Sequence, residues 1–288
     1  MIKYIKLQTV LLILLFPTQT SLATDLGNHN KQFTHPKDMS TNDWSNPDEL
    51  ERTWNAALVR IPTDNGKFQK LVMKDIAKQS NLAKKHPTII YLHGCSGIWQ
   101  GTHTRLNFFA KSGFAVIAPV SFARAKYPQS CDINKHKGGM YRHTLKMRQN
   151  DAGYAIKQAK QLPWVNSNNV FLVGLSQGGV TTATLSANEP SESVNARVIE
   201  GWTCHAGWSE YKGINAPIDE PVLSIVGEKD PWFQNDWTRG NCGKFMKNEF
   251  SESVVFKTGH LSSRHELLED RSVQKIVLDF LIKHKHQQ

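Results

Sequence analysis

Residues 169–187 read NVFLVGLSQGGVTTATLSA, a buried-strand pattern that runs straight into a helix pattern. Asn169 to Val173 is apolar and rich in β-branched residues, at strand length. Gly179 to Ala187 consists mostly of small residues, which let a helix pack closely onto a sheet. Between them stands Gly174-Leu175-Ser176-Gln177-Gly178. A serine at such a junction is held on a sharp turn with its hydroxyl pushed out of the sheet. Side chains in place of the flanking glycines would clash with the adjoining strand and helix. Similar five-residue patterns also arise in serine- and glycine-rich loops. Here the strand-turn-helix context selects the turn.

Strand and helix patterns alternate on either side of this junction. Asn55 to Ile61 and Lys67 to Lys74 are strand-like and flank Thr63-Asp64-Asn65-Gly66, a hairpin turn. Thr88 to His93 is a strand, Thr102 to Ser112 a helix closed by Gly113, and Phe114 to Ala118 a strand. Residues 119–141 form a long irregular connection, and Thr144 to Leu162 has helical periodicity. Further strands fall at Arg197 to Glu200, Pro221 to Val226 and Ser253 to Lys257. A helix or partial helix is expected within Gln234 to Phe250, and a closing helix over Arg264 to His284. An opening hairpin followed by this alternation predicts an α/β fold with a mostly parallel sheet of about eight strands and helices on both faces. Nothing suggests an internal repeat or a second domain within residues 51–288.

Two segments precede that domain. Residues 1–23 have a signal-peptide pattern: Lys3 and Lys6, then the apolar run Val10 to Phe16, then Ser21-Leu22-Ala23 with small residues at the positions a signal peptidase reads. The apolar run is far shorter than the ~20 residues needed to span a bilayer, and no later segment reaches that length. A periplasmic or secreted protein, cleaved after Ala23 and without an integral membrane segment, is expected. Residues 24–50 are polar and turn-rich, as in a flexible arm or a lead-in that hugs the surface.

The chain has 288 residues, 39% of them hydrophobic, and a formal net charge of +10. Loss of Lys3 and Lys6 lowers the charge to +8. The excess is scattered, with no basic stripe interleaved with aromatics, so specific nucleic-acid binding is not expected. It favours an anionic envelope or anionic substrates. The four cysteines, Cys95, Cys131, Cys204 and Cys242, lie in the mature part. An even count in an exported chain points to disulfides, with three possible connectivities. Their spacing is not that of a zinc site. No metal or cofactor motif is found, and activity is expected to persist in a chelator.

A serine hydroxyl needs a base to become a nucleophile. Loops at the carboxyl ends of parallel strands converge on one crevice, so the partners belong after later strands in the order Ser, acid, His. Asp230 follows the strand Val222 to Val226 and precedes Pro231, with Glu228 and Asp236 as alternatives. His260 follows the last strand in Thr258-Gly259-His260. It is preferred to His205 and to His265, which falls on the expected final helix. Oxyanion donors are expected from the backbone of Gln177, at a helix start, and of Cys95 in His93-Gly94-Cys95-Ser96-Gly97, with Ser96 in reserve. Ser96, Trp99 and Trp232 are candidates to contact substrate, as are other aromatics near strand ends. Arg124, just past a strand end, is a candidate for binding a substrate carboxylate.

Five stretches now combine: IIYLHGCSG (89–97), RLNFFAKSGFAVIAPVSFAR (105–124), VFLVGLSQGG (170–179), VGEKD (226–230) and TGH (258–260). From about residue 54 to 284 the chain resembles an α/β-hydrolase, and within that superfamily the dienelactone hydrolase family. The resemblance implies hydrolysis of an ester or lactone by a nucleophile, a histidine and an aspartate. Ser176 stands where dienelactone hydrolase proper has a cysteine, and the chain carries an export signal and extra cysteines. These departures leave generic esterase chemistry rather than the dienelactone substrate. On the same frame, Cys95 with Cys131 and Cys204 with Cys242 join neighbouring loops around the crevice. A small-molecule ester is the expected partner. A peptidase or acyltransferase using the same residues is the close alternative, and a catalytically silent binding protein is the alternative of another class.

Overall fold

The computed structural model describes residues 31–78, 82 and 84–287. The expected signal peptide lies outside the described residues. After two short helices, α1 (Asn42–Ser45) and α2 (Pro47–Asn55), the chain forms an antiparallel hairpin of β1 (Leu58–Pro62) and β2 (Phe68–Val72). Its turn places Asn65 and Gly66 at positive φ, the conformation that favours Asn-Gly in tight hairpins. There follow β3 (His86–Leu92), α3 (Gln100–Lys111) and β4 (Ala115–Ala118). A small hairpin, β5 (Cys131–Asp132) and β6 (Lys137–Gly138), lies within the long connection that leads to α4 (Thr144–Gln161). The chain continues through β7 (Val165–Leu175), α5 (Gln177–Thr184), β8 (Ala196–Glu200), β9 (Val222–Gly227), β10 (Glu252–Phe256) and α6 (Arg271–Lys283).

The large sheet has eight strands in the order β10-β9-β8-β7-β3-β4-β1-β2. β1 is antiparallel to both of its neighbours, and the other pairings are parallel. This is the mostly parallel, two-faced sheet that the alternating pattern predicts. Period two divides the core. Ile89 and Tyr91 of β3 and Phe171, Val173 and Leu175 of β7 face α3 and α6, whereas Ile90, Leu92, Val170 and Leu172 face α2 and α4. With both faces covered, the central strands are apolar throughout, and each large side chain taken fully from water contributes ~1.5–3 kcal/mol.

Two expected helices differ from the observed ones. Gln234 to Phe250 contains only a single 3-10 turn, Gly243–Phe245. The side chain of Asn235 accepts the N–H groups of Trp237 and Thr238, fixing a turn in place of a helix. The closing helix begins at Arg271 rather than Arg264, because Asp270 caps it by accepting the N–H of Ser272 at 2.8 Å. Residues 264–270 are therefore a loop. It is anchored by Leu267 and Leu268, both fully buried in the core.

The described part of the polar lead-in hugs the domain. Thr34 and Tyr127 exchange hydrogen bonds, and the Arg124 guanidinium donates to the carbonyls of Asp43 and Trp44. Trp44 stacks on His143 with ring centroids 4.4 Å apart.

Candidate active site

Ser176 stands between the carboxyl end of β7 and the first residue of α5, with φ 57 and ψ −115. A non-glycine residue rarely takes such a backbone conformation, and strain of this kind persists only where its surroundings enforce it. Here they do. A side chain on Gly178 would collide with the carbonyl of Leu92 at the end of β3, and one on Gly174 would collide with the carbonyl of Gly178. The Ser176 N–H donates to the Glu200 carbonyl at 2.8 Å and its own carbonyl receives the Val180 N–H at 2.8 Å. The expected turn is present, with the serine partly open to solvent.

Asp230 is fully buried just beyond β9. One carboxylate oxygen receives the Trp232 N–H at 3.0 Å. The other lies 2.7 Å from Nδ1 of His265. That contact sets the tautomer: with Nδ1–H donating to a carboxylate, Nε2 is the acceptor nitrogen. Nε2 is buried and has no partner among the described residues. The ring lies against Gly201, where a Cβ would come within 3.2 Å of its atoms. Gly201 directly follows Glu200, whose carbonyl holds Ser176. Trp232 stacks on the imidazole, at 5.2 Å and 26°.

His260 does not join this arrangement. It sits past the last strand as expected, but its side chain is 68% exposed and its Nε2 pairs with Asp270 at 2.9 Å. The expectation that His260 partners Asp230 is thus corrected to His265. The cause is the helix boundary: a helix from residue 264 would carry His265 away, whereas the observed loop turns it inward. Asp270 itself is held well below the usual carboxylate range by hydrogen bonds from Ser272 and His260.

Beneath the site runs a buried ion-pair network that sequence reasoning missed. Arg105 of α3 donates from Nε and Nη2 to the two carboxylate oxygens of Glu200, at 3.0 and 2.8 Å, with both side chains fully buried. Glu200 also accepts the Leu268 N–H at 2.8 Å. One residue therefore ties the serine turn, through its carbonyl, to the His265 loop, through its carboxylate. Glu266 lies 3.2 Å from Arg105. Burial, with Glu200 and Glu269 adding, pushes its carboxyl up to about 7 even though Arg105 opposes the shift. The available signal was a pair of charges at positions whose neighbours are apolar: Glu200 closing the strand ARVIE, and Arg105 beside Leu106.

The loop after β3 is fixed by His93. Its Nε2 accepts the Ser121 N–H at 3.2 Å, so Nδ1 carries the proton and donates to the Gly94 carbonyl at 2.7 Å. Burial and the neighbouring Arg148 keep this imidazole neutral, far below the ordinary histidine range. Arg148 also donates to the His93 carbonyl at 2.6 Å. The Cys95 N–H has no hydrogen-bond partner among the described residues. The Gln177 N–H opens a helix and has no intrahelical acceptor. The Gln177 side-chain oxygen accepts from Ser130 at 3.1 Å.

Cys95 is bonded to Cys131 and Cys204 to Cys242, the pairing expected on the hydrolase frame. Cys95, Ser176, Gln177 and Trp232 all line one cavity of about 660 Å³. Ser96 and Trp99 do not line it; the Trp99 ring folds back onto Gly101 in α3. Arg124 is not available for a substrate carboxylate either: it is buried and bonded to Asp151 at 2.6 Å. Among the described residues no group of three or more His, Cys, Asp or Glu side chains is placed to hold a metal ion, and no helix is long and apolar enough to cross a membrane.

The family model of the dienelactone hydrolase family matches residues 74–258, well over half of the chain. The chain belongs to the dienelactone hydrolase family. It is a hydrolase with the α/β-hydrolase fold. Among solved structures it is similar to a protein described as a dienelactone hydrolase from Klebsiella pneumoniae subsp. pneumoniae MGH 78578. That likeness has a TM-score of 0.54 at 16% identity, covering 80% of this chain and 100% of the other. It is also similar to a thermophilic esterase, Est2, from the Planctomycetes species Thermogutta terrifontis in a propionate-bound structure, with a TM-score of 0.50 at 16% identity, covering 81% and 91%. No curated protein matches the sequence.

Proposed function

We propose that this hydrolase cleaves carboxylic esters through a covalent acyl-enzyme, with Ser176 as nucleophile, His265 as general base and acid, and Asp230 as the group that orients the imidazole. The observation that carries this is the 2.7 Å contact from His265 Nδ1 to the buried Asp230, which leaves Nε2 unpartnered one residue away from the strand end that anchors Ser176. In acylation His265 Nε2 takes the hydroxyl proton as Ser176 Oγ bonds to the ester carbonyl carbon. The tetrahedral oxyanion is held by the N–H groups of Cys95 and Gln177, the latter aided by the helix dipole. The C–O bond to the alcohol then breaks, and His265 gives the proton to the departing oxygen. Water enters, loses a proton to His265 and attacks the acyl carbon. Collapse releases the acid and returns the proton to Ser176. The chemistry is balanced by one water per ester and needs no cofactor.

The protein acts outside the cytoplasm in this reading. The signal pattern of residues 1–23 supports it, as do two disulfides in a described region free of membrane-spanning helices.

A fluorophosphonate probe tests the nucleophile. Labelling of the native chain and none of Ser176→Ala is expected. Equal labelling of both, or hydrolysis of p-nitrophenyl acetate by Ser176→Ala at the native rate, contradicts the proposal.

A further inference from the structure

The cavity in front of Ser176 is walled by aromatic rings: Trp202, Trp208, Tyr211, Trp232, Phe233 and Trp237. Several of its polar side chains are already engaged. The Gln177 side-chain oxygen is taken by Ser130 and Tyr127, and that of Asn235 by the backbone of Trp237 and Thr238 and the hydroxyl of Thr238. Its charged side chains are Lys135, paired with Asp132 at 3.4 Å, and Lys137, both on the β5–β6 hairpin, and no aspartate or glutamate lines the space. Two indoles at its mouth face water, Trp208 at 39% and Trp237 at 72% exposure. Large apolar rings left open at one opening of a site are platforms for a ligand face.

The β5–β6 hairpin completes the enclosure. At its tip the His136 ring packs edge-on against Trp232 at 5.5 Å, and Trp232 in turn stacks on His265. Just beyond the hairpin, the backbone of Gly139 packs on the Trp208 ring. The hairpin thus reaches both aromatic walls, and Cys131 at its base is bonded to Cys95 in the loop after β3.

We propose that this cavity selects esters carrying a planar aromatic ring, gripped by stacking between the tryptophan walls beneath the β5–β6 hairpin. The inference rests on Ser176 being the nucleophile, since that fixes which end of the cavity holds the ester carbon. The ring belongs either to the acyl half or to the alcohol half of the substrate, and size-matched esters distinguish the two.

The test measures kcat/KM by proton release for methyl 3-phenylpropanoate against methyl octanoate, and for benzyl acetate against hexyl acetate. At least one aromatic ester is expected to exceed its alkyl partner about tenfold, the scale of one to two aromatic stacking contacts. A preference in the first pair assigns the ring to the acyl half, and in the second to the alcohol half. In Trp208→Ala/Trp237→Ala the ratio is expected to fall below about twofold. Phe250→Ala, an exposed aromatic outside the cavity, is the control and keeps the ratio. In parallel, tryptophan quenching by the same four esters is read on Ser176→Ala, where turnover cannot interfere. Selective binding of an aromatic ester there supports the cavity assignment even if the native chain hydrolyses none, an outcome that overturns only the hydrolytic reading. Hydrolysis with no aromatic preference in either pair overturns the present inference alone, as does a preference that survives loss of both tryptophans.

Discussion

At the scale of single residues, the proposed mechanism divides the site into groups that meet the ester and groups that hold them. His265→Ala is expected to lower kcat by roughly 10³-fold or more, leaving only what the oxyanion donors and binding provide. Asp230→Asn is expected to cost about 10⁴-fold, because the tautomer set by the buried carboxylate is lost. Glu200→Gln acts differently. It leaves Arg105 buried with its charge no longer fully compensated, so a loss of ~3–5 kcal/mol in urea denaturation is expected. A stability change below about 0.5 kcal/mol would show that Arg105 is not held as the structure describes. The sharp turn at Ser176 and the place of Asp230 just beyond β9 were legible in the sequence because each follows the end of an apolar strand. Glu200 was not, since a carboxylate at a strand end reads as solvent-facing until its buried arginine is seen.

At the scale of elements, the decisive feature is the loop of residues 264–270. Leu267 and Leu268 gave it the apolar content of a helix, yet they are core anchors of a loop that ends at the Asp270 cap. Asp270-Arg271-Ser272 was the sequence signal for that boundary. The same loop makes the stability of the fold depend on pH. The folded carboxyl of Glu266 is raised to about 7 from 4.5, so between these values the folded state binds more proton than the unfolded state and stability falls as pH rises. Above about 7 the loss is complete. Glu266→Gln should therefore gain stability relative to the native chain as pH goes from 5 to 8, measured by urea midpoints at each pH. A difference that is flat or falls with pH would contradict this. The Cys95–Cys131 bond joins residues 36 apart, and a loop of that length contributes roughly 3–4 kcal/mol through the unfolded state. Cys95→Ala/Cys131→Ala should lower the thermal midpoint accordingly, and an unchanged midpoint would count against the bond.

At the scale of the whole molecule, the parallel sheet collects three separate loops at the carboxyl ends of β3, β7 and β9, and the loop after β10 reaches the same end. Strand patterns made this topology readable before any coordinates, together with the disulfide pairing implied by the hydrolase frame. The aromatic cavity was less legible, because its rings come from loops whose mutual approach no local pattern encodes. Their positions just past strand ends do mark Trp202, Trp208, Trp232 and Trp237 as wall candidates, whereas Trp99, also just past a strand end, folds onto its own helix. The central claim is that His265, not His260, serves Ser176. The most direct test is the steady-state hydrolysis of p-nitrophenyl acetate by His265→Ala and His260→Ala, with folding of both verified by circular dichroism. A loss of about 10³-fold or more in kcat for His265→Ala, with His260→Ala within a few-fold of the native chain, is the predicted result. The reverse order, or near-native turnover by His265→Ala, would contradict the account.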